Sequence, residues 1–383
     1  MNRKAAGRLA SGHPWIFSSD IVDRGEAAGG ESVVVLGPSG NTFGTAHFSN
    51  SSQISLRLLS DRVETLDRAF YLRRIRQAAA HRQLVVKDSD AYRLVHGEGD
   101  RLPGLIIDRY GDYFTIQTLD QGMDRAKSDI VSCLEELFAP HGIAERNDVA
   151  VRAHESLPLQ SGVLSGDILE TVQVRMNGLV FHADLLHGQK TGTFLDQREN
   201  YLAAARYAGG RALDCFTSTG GFALHLAAHC DSVEAVDSSS STLETAERNR
   251  VANETTNISF RQADVFDLLA GYASARRQFD MVVLDPPAFA KSRRSLEGAM
   301  RGYREINRRA LELLTAGGIL VTCSCSHHVS EAALLEVVAA ASLDTGRKLR
   351  VLERRTQSQD HPILLTVPET MYLKCLVLQV LES

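Results

Sequence analysis

The sequence has no long apolar run: no stretch approaches the roughly 18 uninterrupted residues of a membrane-spanning helix. It also lacks a cysteine framework. Its six cysteines, Cys133, Cys215, Cys230, Cys323, Cys325 and Cys375, are irregularly spaced, and no CxxC pair suggests zinc. There is no surplus of positive charge, the formal net charge being -5, so a polyanion site must come from local clustering. Met1-Asn-Arg-Lys4 leads into no apolar stretch, which speaks against a secretory signal, so a cytoplasmic location is expected. Internal repeats and low-complexity segments are missing too. What remains is ordinary globular composition, 44% hydrophobic and 23% charged over 383 residues, enough for two or three domains.

Pattern separates three regions, expected as domains over 1–64, 65–175 and 176–383. The first has short alternating segments, Ser32–Leu36, Phe43–His47 and Gln53–Leu59, between glycine and serine turns, which predicts a small β-barrel or sandwich. The second opens with a helical pattern over Leu66–Val86. Strand-like runs at Leu105–Arg109 and Tyr113–Gln117 follow, then a helix over Asp124–Phe138, giving a small α+β module. From Gly209 onward apolar strand runs alternate with amphipathic helices. That is an α/β pattern of βαβ units, and it predicts a Rossmann-like parallel sheet.

The first strand of that region, Arg211–Phe216 with Asp214, runs into Thr217-Ser-Thr-Gly-Gly-Phe222. Glycines such as Gly220 and Gly221, after Thr219 at a strand-to-helix turn, let a ligand approach the backbone. The spacing is not GxGxxG, which argues against a dinucleotide. The next strand ends in Asp237, where a carboxylate grips a ribose diol, and the third ends in Asp264, placed to read an adenine amine. One strand-end Asp is usually a helix cap. Three in order, on successive strands, point to a nucleoside.

The fourth strand, Phe279–Leu284, delivers Asp285-Pro-Pro-Ala-Phe289. Two prolines hold the acid rigidly at the sheet edge. The turn resembles one with which many methyltransferases grip a planar, amine-bearing base, Phe289 included; its plainer meaning is a stiff βα turn. The fifth strand, Gly318–Ser326, points Cys323 and Cys325 to one face, with Cys325 nearer the active edge. Cytosine C5 becomes nucleophilic only after a thiolate adds at C6, chemistry that suits Cys325 once nearby cations lower its pKa. Cys323 reads as a small buried hydrophobe. Between these strands, Lys291–Arg309 carries Lys291, Arg293, Arg294, Arg301, Arg304, Arg308 and Arg309 against Glu297 and Glu305. Seven positive less two negative charges gives +5. Such a run is often a solvated helix face; its place after the base-gripping turn favours phosphate contact.

Taken together, Lys190-Thr-Gly-Thr-Phe-Leu-Asp-Gln-Arg198, Cys215–Phe222, Asp285–Phe289, Arg301-Gly-Tyr-Arg-Glu-Ile-Asn307 and Ser324-Cys-Ser326 closely resemble the bacterial large-subunit ribosomal RNA 5-methylcytosine methyltransferases. Gly12–Phe17 looks like the entry of their N-terminal RNA-binding PUA barrel. Gly97–Gly104 is similar to a signature of their central α+β domain, and Asp360–Pro362 and Tyr372–Lys374 to their C-terminal strands. The resemblance implies a class I methyltransferase fold with a seven-stranded sheet. It implies S-adenosylmethionine held by the backbone around Phe216–Gly221 with Asp214, Asp237, Asp264 and Asp285, and closed over by a hairpin carrying Gln197 and Arg198. Asp285 would also bond the cytosine edge, and Cys325 would be the nucleophile. Large-subunit ribosomal RNA, no metal and a possible homodimer go with it.

Two departures stand out. Related RNA cytosine enzymes carry a second cysteine directly after the Pro-Pro pair, where this chain has Ala288, leaving Asp285, Lys291 or water to take the C5 proton. Relatives also have a β-strand before the first basic stretch, where this sequence offers only Met1–Gly7. Three other functions compete. Methylation of guanine N7 would need no thiolate, so Cys325 discriminates against it. A non-catalytic RNA-binding assembly factor would not need the intact acids and glycines, and a small-molecule or protein methyltransferase would not need the PUA-like region.

Overall fold

The computed structural model describes residues 1–290 and 295–382. Lys291, Arg293 and Arg294, expected to meet phosphate, lie outside the described residues. The chain forms two compact units. The first comprises Met1–Gly178, Ala183–Leu195 and Gln359–Thr370; the second comprises Leu179–His182, Asp196–Ser358 and Met371–Ser383. The first two expected domains thus share one compact unit, which also takes in two segments expected in the third.

In the first unit, α1 (Arg3–Ala10) is capped by the Asn2 side chain, which accepts from the Ala5 N–H. Strands β1 (Trp15–Phe17), β2 (Ser32–Leu36), β3 (Thr42–Phe48) and β4 (Ile54–Ser60) pair antiparallel in the order β1-β4-β3-β2. Ala5, Leu9, Ile16, Val35, Ala46 and Phe48 form its core. The expected strands are present, and a helix occupies the start of the chain. Next come α2 (Arg68–Val85), β5 (Ala91–His96), β6 (Leu105–Tyr110), β7 (Tyr113–Thr118), α3 (Gln121–Arg125), α4 (Lys127–Phe138), β8 (Gly142–Asn147), β9 (Gln160–Gly166) and β10 (Val172–Met176). Strands β5 to β9 pair in sequence order, antiparallel except for β7 with β8. The single helix expected over 124–138 is two, because Asp120 caps a separate turn by accepting from Met123 N.

This unit gives two of the sequence signatures a structural meaning. Arg82 is buried on α2, and its guanidinium forks onto Asp100 in the Gly97–Gly104 segment. It also donates to Arg93 O and, at 2.7 Å, to Asp360 O. Asp360 in turn accepts from the Arg93 N–H at 2.9 Å, and Arg93 pairs bidentately with buried Asp108. A buried ion network of this kind is costly to leave half-made. Arg82→Met, which strands Asp100 without its partner, should lower stability by about 3 to 5 kcal/mol in a denaturant titration.

The second unit contains all but the last residue of β11 (Leu179–Ala183), then α5 (Arg198–Ala205), β12 (Arg211–Cys215), α6 (Gly221–Ala227), β13 (Ser232–Asp237), α7 (Ser240–Ala252), β14 (Ile258–Gln262), α8 (Val265–Ser274), β15 (Phe279–Leu284), α9 (Leu296–Leu313), β16 (Leu314–Ser324), α10 (Glu331–Thr345), β17 (Leu349–Arg355) and β18 (Lys374–Val380). Its seven-stranded sheet runs β14-β13-β12-β15-β16-β18-β17, parallel except for β18, which is antiparallel to both neighbours. The central strands are near-continuous apolar runs because helices cover both faces. Val282, Leu284, Leu320, Leu376, Tyr303, Ile306 and Leu334 belong to one core. Strand order reverses beside β12, so the ends of β12, β13 and β15 flank the crevice where such sheets bind ligands.

Candidate active site

The turn after β12 carries the cofactor candidates. Phe216 (φ 64°), Ser218 (φ 50°) and Gly220 (φ 86°) are all left-handed, so this turn coils tightly against the sheet edge. Gly220 suits its φ, and a Cβ there would meet nothing closer than 3.5 Å. Gly221 is constrained differently: a Cβ would lie 2.4 Å from the ring of buried Tyr201, which packs edge-on against Phe222. Buried Asn249 on α7 fixes the loop from behind, its Nδ2 donating to Thr219 O at 2.9 Å while its Oδ1 accepts from His182 N.

The three acids expected at this loop are held in different ways. Asp214 is fully buried; its Oδ2 accepts from Thr217 Oγ1 at 2.6 Å and Ala223 N at 3.0 Å. Its Oδ1 is buried without a hydrogen-bond partner among the described residues. Burial pushes its carboxyl up to about 7, reinforced by the Asp285 and Asp237 charges and opposed by those two bonds. Asp237 is half-buried, oriented by Ser218 N on one oxygen and Ser239 N on the other, both at 2.9 Å, and each oxygen keeps acceptor capacity. Asp264 corrects the expectation: β14 stops at Gln262, and Asp264 is exposed and caps α8 by accepting from Asp267 N.

Gln197 and Arg198 do not lie in a hairpin. Gln197 is the N-cap residue of α5 and Arg198 its first residue; both are buried, the Gln197 amide bonded to Asn200 Nδ2 at 2.7 Å. Helix takes over because Arg198–Ala205, with three alanines, has helical rather than alternating character. Lys190 is exposed in the first unit, its ammonium 4.3 Å from the Phe194 ring centroid.

The reaction candidates sit on β15 and β16. Asp285 follows β15 directly, half-buried, its N–H reaching Cys215 O at 3.4 Å. Cys325 lies one residue past β16, also half-buried, with Sγ 4.0 Å from Pro286 O. Cys323 is fully buried, paired in register with Cys375, and burial pushes its thiol well above the ordinary range. The serines around Cys325 had no role from sequence, and they lock the two turns together. The Tyr303 hydroxyl on α9 sits 2.9 Å from Ser324 Oγ and 3.1 Å from Ser326 Oγ, and Ser326 Oγ accepts from Ala290 N at 3.2 Å. The recurrence of Tyr303, Ile306, Asn307 and Ala310 on one helix face was the available signal. Buried Lys374, the first residue of β18, completes the rim: Nζ donates to Ser326 O at 2.7 Å and Tyr372 O at 2.8 Å. Burial lowers its pKa to about 8, opposed by the Cys325 thiolate.

The described part of the basic stretch is less cationic than its count. Arg304 is held bidentately by Asp344 at 2.7 Å, Arg301 pairs with Glu297, and Arg308 and Arg309 share Glu305. Phosphate contact by Arg301 or Arg304 requires exchange of these partners. Phe289 packs on Tyr303 at 4.7 Å between ring centroids and joins the core. Among the described residues no group of three metal-ligating side chains occurs, and no helix is long and apolar enough to cross a membrane.

Residues 93–377 match the family model of S-adenosylmethionine-dependent methyltransferases. The chain belongs to that family. Residues 1–61 match a PUA-like domain. The chain is 41% identical over 377 residues to ribosomal RNA large subunit methyltransferase I of Tolumonas auensis, covering 96% of this chain and 95% of that one. The protein of the same name from Klebsiella pneumoniae is 40% identical over 371 residues, covering 94% and 93%. Among solved structures, a chain assigned as a methyltransferase and complexed with SAH has a TM-score of 0.86 at 21% identity, covering 99% of this chain and 98% of that one. A second, from Streptococcus mutans, gives 0.84 at 21% with the same coverage. At that identity the likeness shows the fold.

The cofactor of the family is S-adenosylmethionine, and the turn after β12 fits it. A side-chain-free surface at Gly220, the oriented Asp237 carboxylate and the unpartnered Asp214 oxygen offer what a nucleoside diol and an ammonium require.

Two outcomes are expected here. Tyr303→Phe removes the hydroxyl that joins the serines and should lower stability by about 1 to 3 kcal/mol in thermal unfolding. Asp214 keeps its proton to a higher pH folded than unfolded, where 3.8 is ordinary. Its stabilising contribution is therefore complete below about pH 4 and lost as pH rises toward about 7. In Asp214→Asn, thermal unfolding of the cofactor-free protein should lose that fall, on the order of 2 to 4 kcal/mol.

Proposed function

We propose that this protein methylates C5 of a cytosine in large-subunit ribosomal RNA through a covalent adduct on Cys325. The observation that carries the reading is the contrast between two cysteines two residues apart: Cys323 is sealed in the sheet, whereas Cys325 is half-exposed at the rim, beside the Asp285-Pro-Pro turn. The names of the relatives and the PUA-like match support ribosomal RNA as substrate.

S-adenosylmethionine, when bound, supplies an electrophilic methyl group on its sulfonium. Phe216, Thr219, Gly220 and Gly221 bind it with backbone and small side chains, and Asp214 and Asp237 supply acceptors. Gln197 and Arg198 support that pocket from the start of α5. Asp264, on the α8 cap, faces solvent and has the smallest share. The target base must leave its stack to reach the rim. Asp285 orients its N3/N4 edge. Addition of the Cys325 thiolate to C6 makes C5 nucleophilic enough to take the methyl group. The C5 proton then passes to water, and the thiolate departs with the bonding electron pair. Phe289 stiffens the turn, and Arg301 and Arg304 serve the RNA backbone by exchanging their carboxylate partners for phosphates.

RNA carrying 5-fluorocytosine at the target blocks the proton loss, so wild-type protein should give a covalent complex on a denaturing gel and Cys325→Ala none. Asp285→Ala should reduce turnover by a factor of 100 or more, order-of-magnitude, with cofactor affinity nearly unchanged. Asp237→Ala should do the opposite. Robust turnover on ribosomal RNA without any adduct would instead indicate attack by a base heteroatom, as in guanine N7 methylation.

A further inference from the structure

Lys374 is 3% exposed, and no carboxylate among the described residues pairs with its ammonium. That is unusual, because a buried ammonium is costly without an anion. Among the described residues the most deeply buried arginines have one: Arg82 has Asp100, Arg152 has Asp124 and Arg198 has Glu199, whereas Arg74, 8% exposed, has the Leu59 carbonyl. Lys374 has instead two carbonyls, Ser326 O and Tyr372 O, which satisfy two of its three protons and none of its charge. One of those carbonyls belongs to the residue that follows Cys325. On the paired strands Lys374 sits in register with Ser324, which precedes Cys325. The ammonium therefore clamps the Ser324-Cys-Ser326 turn from the neighbouring strand.

We propose that Lys374 is the positioning residue of the thiol: its ammonium takes the Cys325 thiolate as its counter-ion and holds the turn that carries it. The inference rests on Cys325 being the nucleophile, and it adds how that nucleophile is generated. Before substrate arrives, Cys325 releases its Sγ proton to solvent while Lys374 keeps all three of its own, so an ammonium beside a neutral thiol becomes an ion pair of zero net charge. The same charge favours the thiolate again as the leaving group at elimination, a step in which this chain has alanine where related enzymes have a second cysteine. Around the thiol, the other titratable groups among the described residues include Asp285 after β15, the Tyr303 hydroxyl on α9, pushed up by burial, and His327 on the turn itself. Asp285 carries the thiolate's own sign and opposes ionisation. A compensating cation is therefore needed.

The test reads the thiol, with no RNA present, so it is independent of which base is methylated. Iodoacetamide labelling of Cys325 in the intact protein is followed by peptide mass against pH. Wild type should ionise below the ordinary cysteine pKa of about 8.5. Lys374→Met should label at least about tenfold more slowly at pH 7, one pKa unit, whereas Lys374→Arg should retain most of the rate. Identical pH profiles for wild type and Lys374→Met, with folding confirmed by circular dichroism, would overturn the proposal. A companion measurement covers a Lys374→Met that does not fold. In Cys325→Ala the ammonium loses its anion, so acetylation of Lys374 by acetic anhydride at pH 7 should accelerate several-fold; an unchanged rate would equally overturn it. Failure of adduct trapping with this thiol behaviour intact would instead count against the cytosine reading alone.

Discussion

The site depends on the parallel pairing of β12, β15 and β16. Cys215 is in register with Leu284, and Leu284 with Thr322, so β12 and β15 end level and β16 runs two residues further, to Ser324. Parallel pairing brings the C-terminal ends of neighbouring strands to the same edge of the sheet. The turn after β12, the Asp285-Pro-Pro turn and the Ser324-Cys-Ser326 turn are thereby forced onto a common rim. Everything chemical in this chain is an elaboration of that forced proximity.

Side chains then convert proximity into fixed geometry. Tyr303 reaches up from α9 to hold two serines, and one of these holds Ala290 at the end of the Asp285 turn. Behind the cofactor turn, Asn249 plays the corresponding part for Thr219. Both are buried polar groups whose capacity goes mainly into positioning backbone, the expected design for a site held within a fraction of an ångström. Asp214 is the counter-example. One of its oxygens has no partner among the described residues, a standing cost that a cationic ligand group would relieve.

Much of this was legible in the sequence, and for definite reasons. Strands of the α/β region are short apolar runs between helical periods, and glycines and acids at their ends mark the edge. Cys323 and Cys325 could be told apart because strand period and distance from Gly318 suffice. Other features depend on pairings that period alone does not encode. Asp264 matched a strand end by spacing and is a cap, since cap and strand-end acids look alike in one dimension. Arg304 counted as a free charge because Asp344, its partner, lies forty positions away on α10. Gln197 and Arg198 were given a hairpin by analogy, against the helical composition of Arg198–Ala205. The Lys374–Cys325 relation follows from β18 running antiparallel between β16 and β17, a placement invisible to local pattern.

That placement also bears on how the sheet is made. β17 precedes β18 in the sequence, yet touches the sheet only through it. During synthesis β17 must therefore wait, edge uncovered, until its bridging neighbour emerges. Only when β18 slots in does its leading lysine arrive beside the cysteine. Assembly of the architecture and arming of the sulfur are on this account a single event, so a partly made chain would carry the residue without its reactivity.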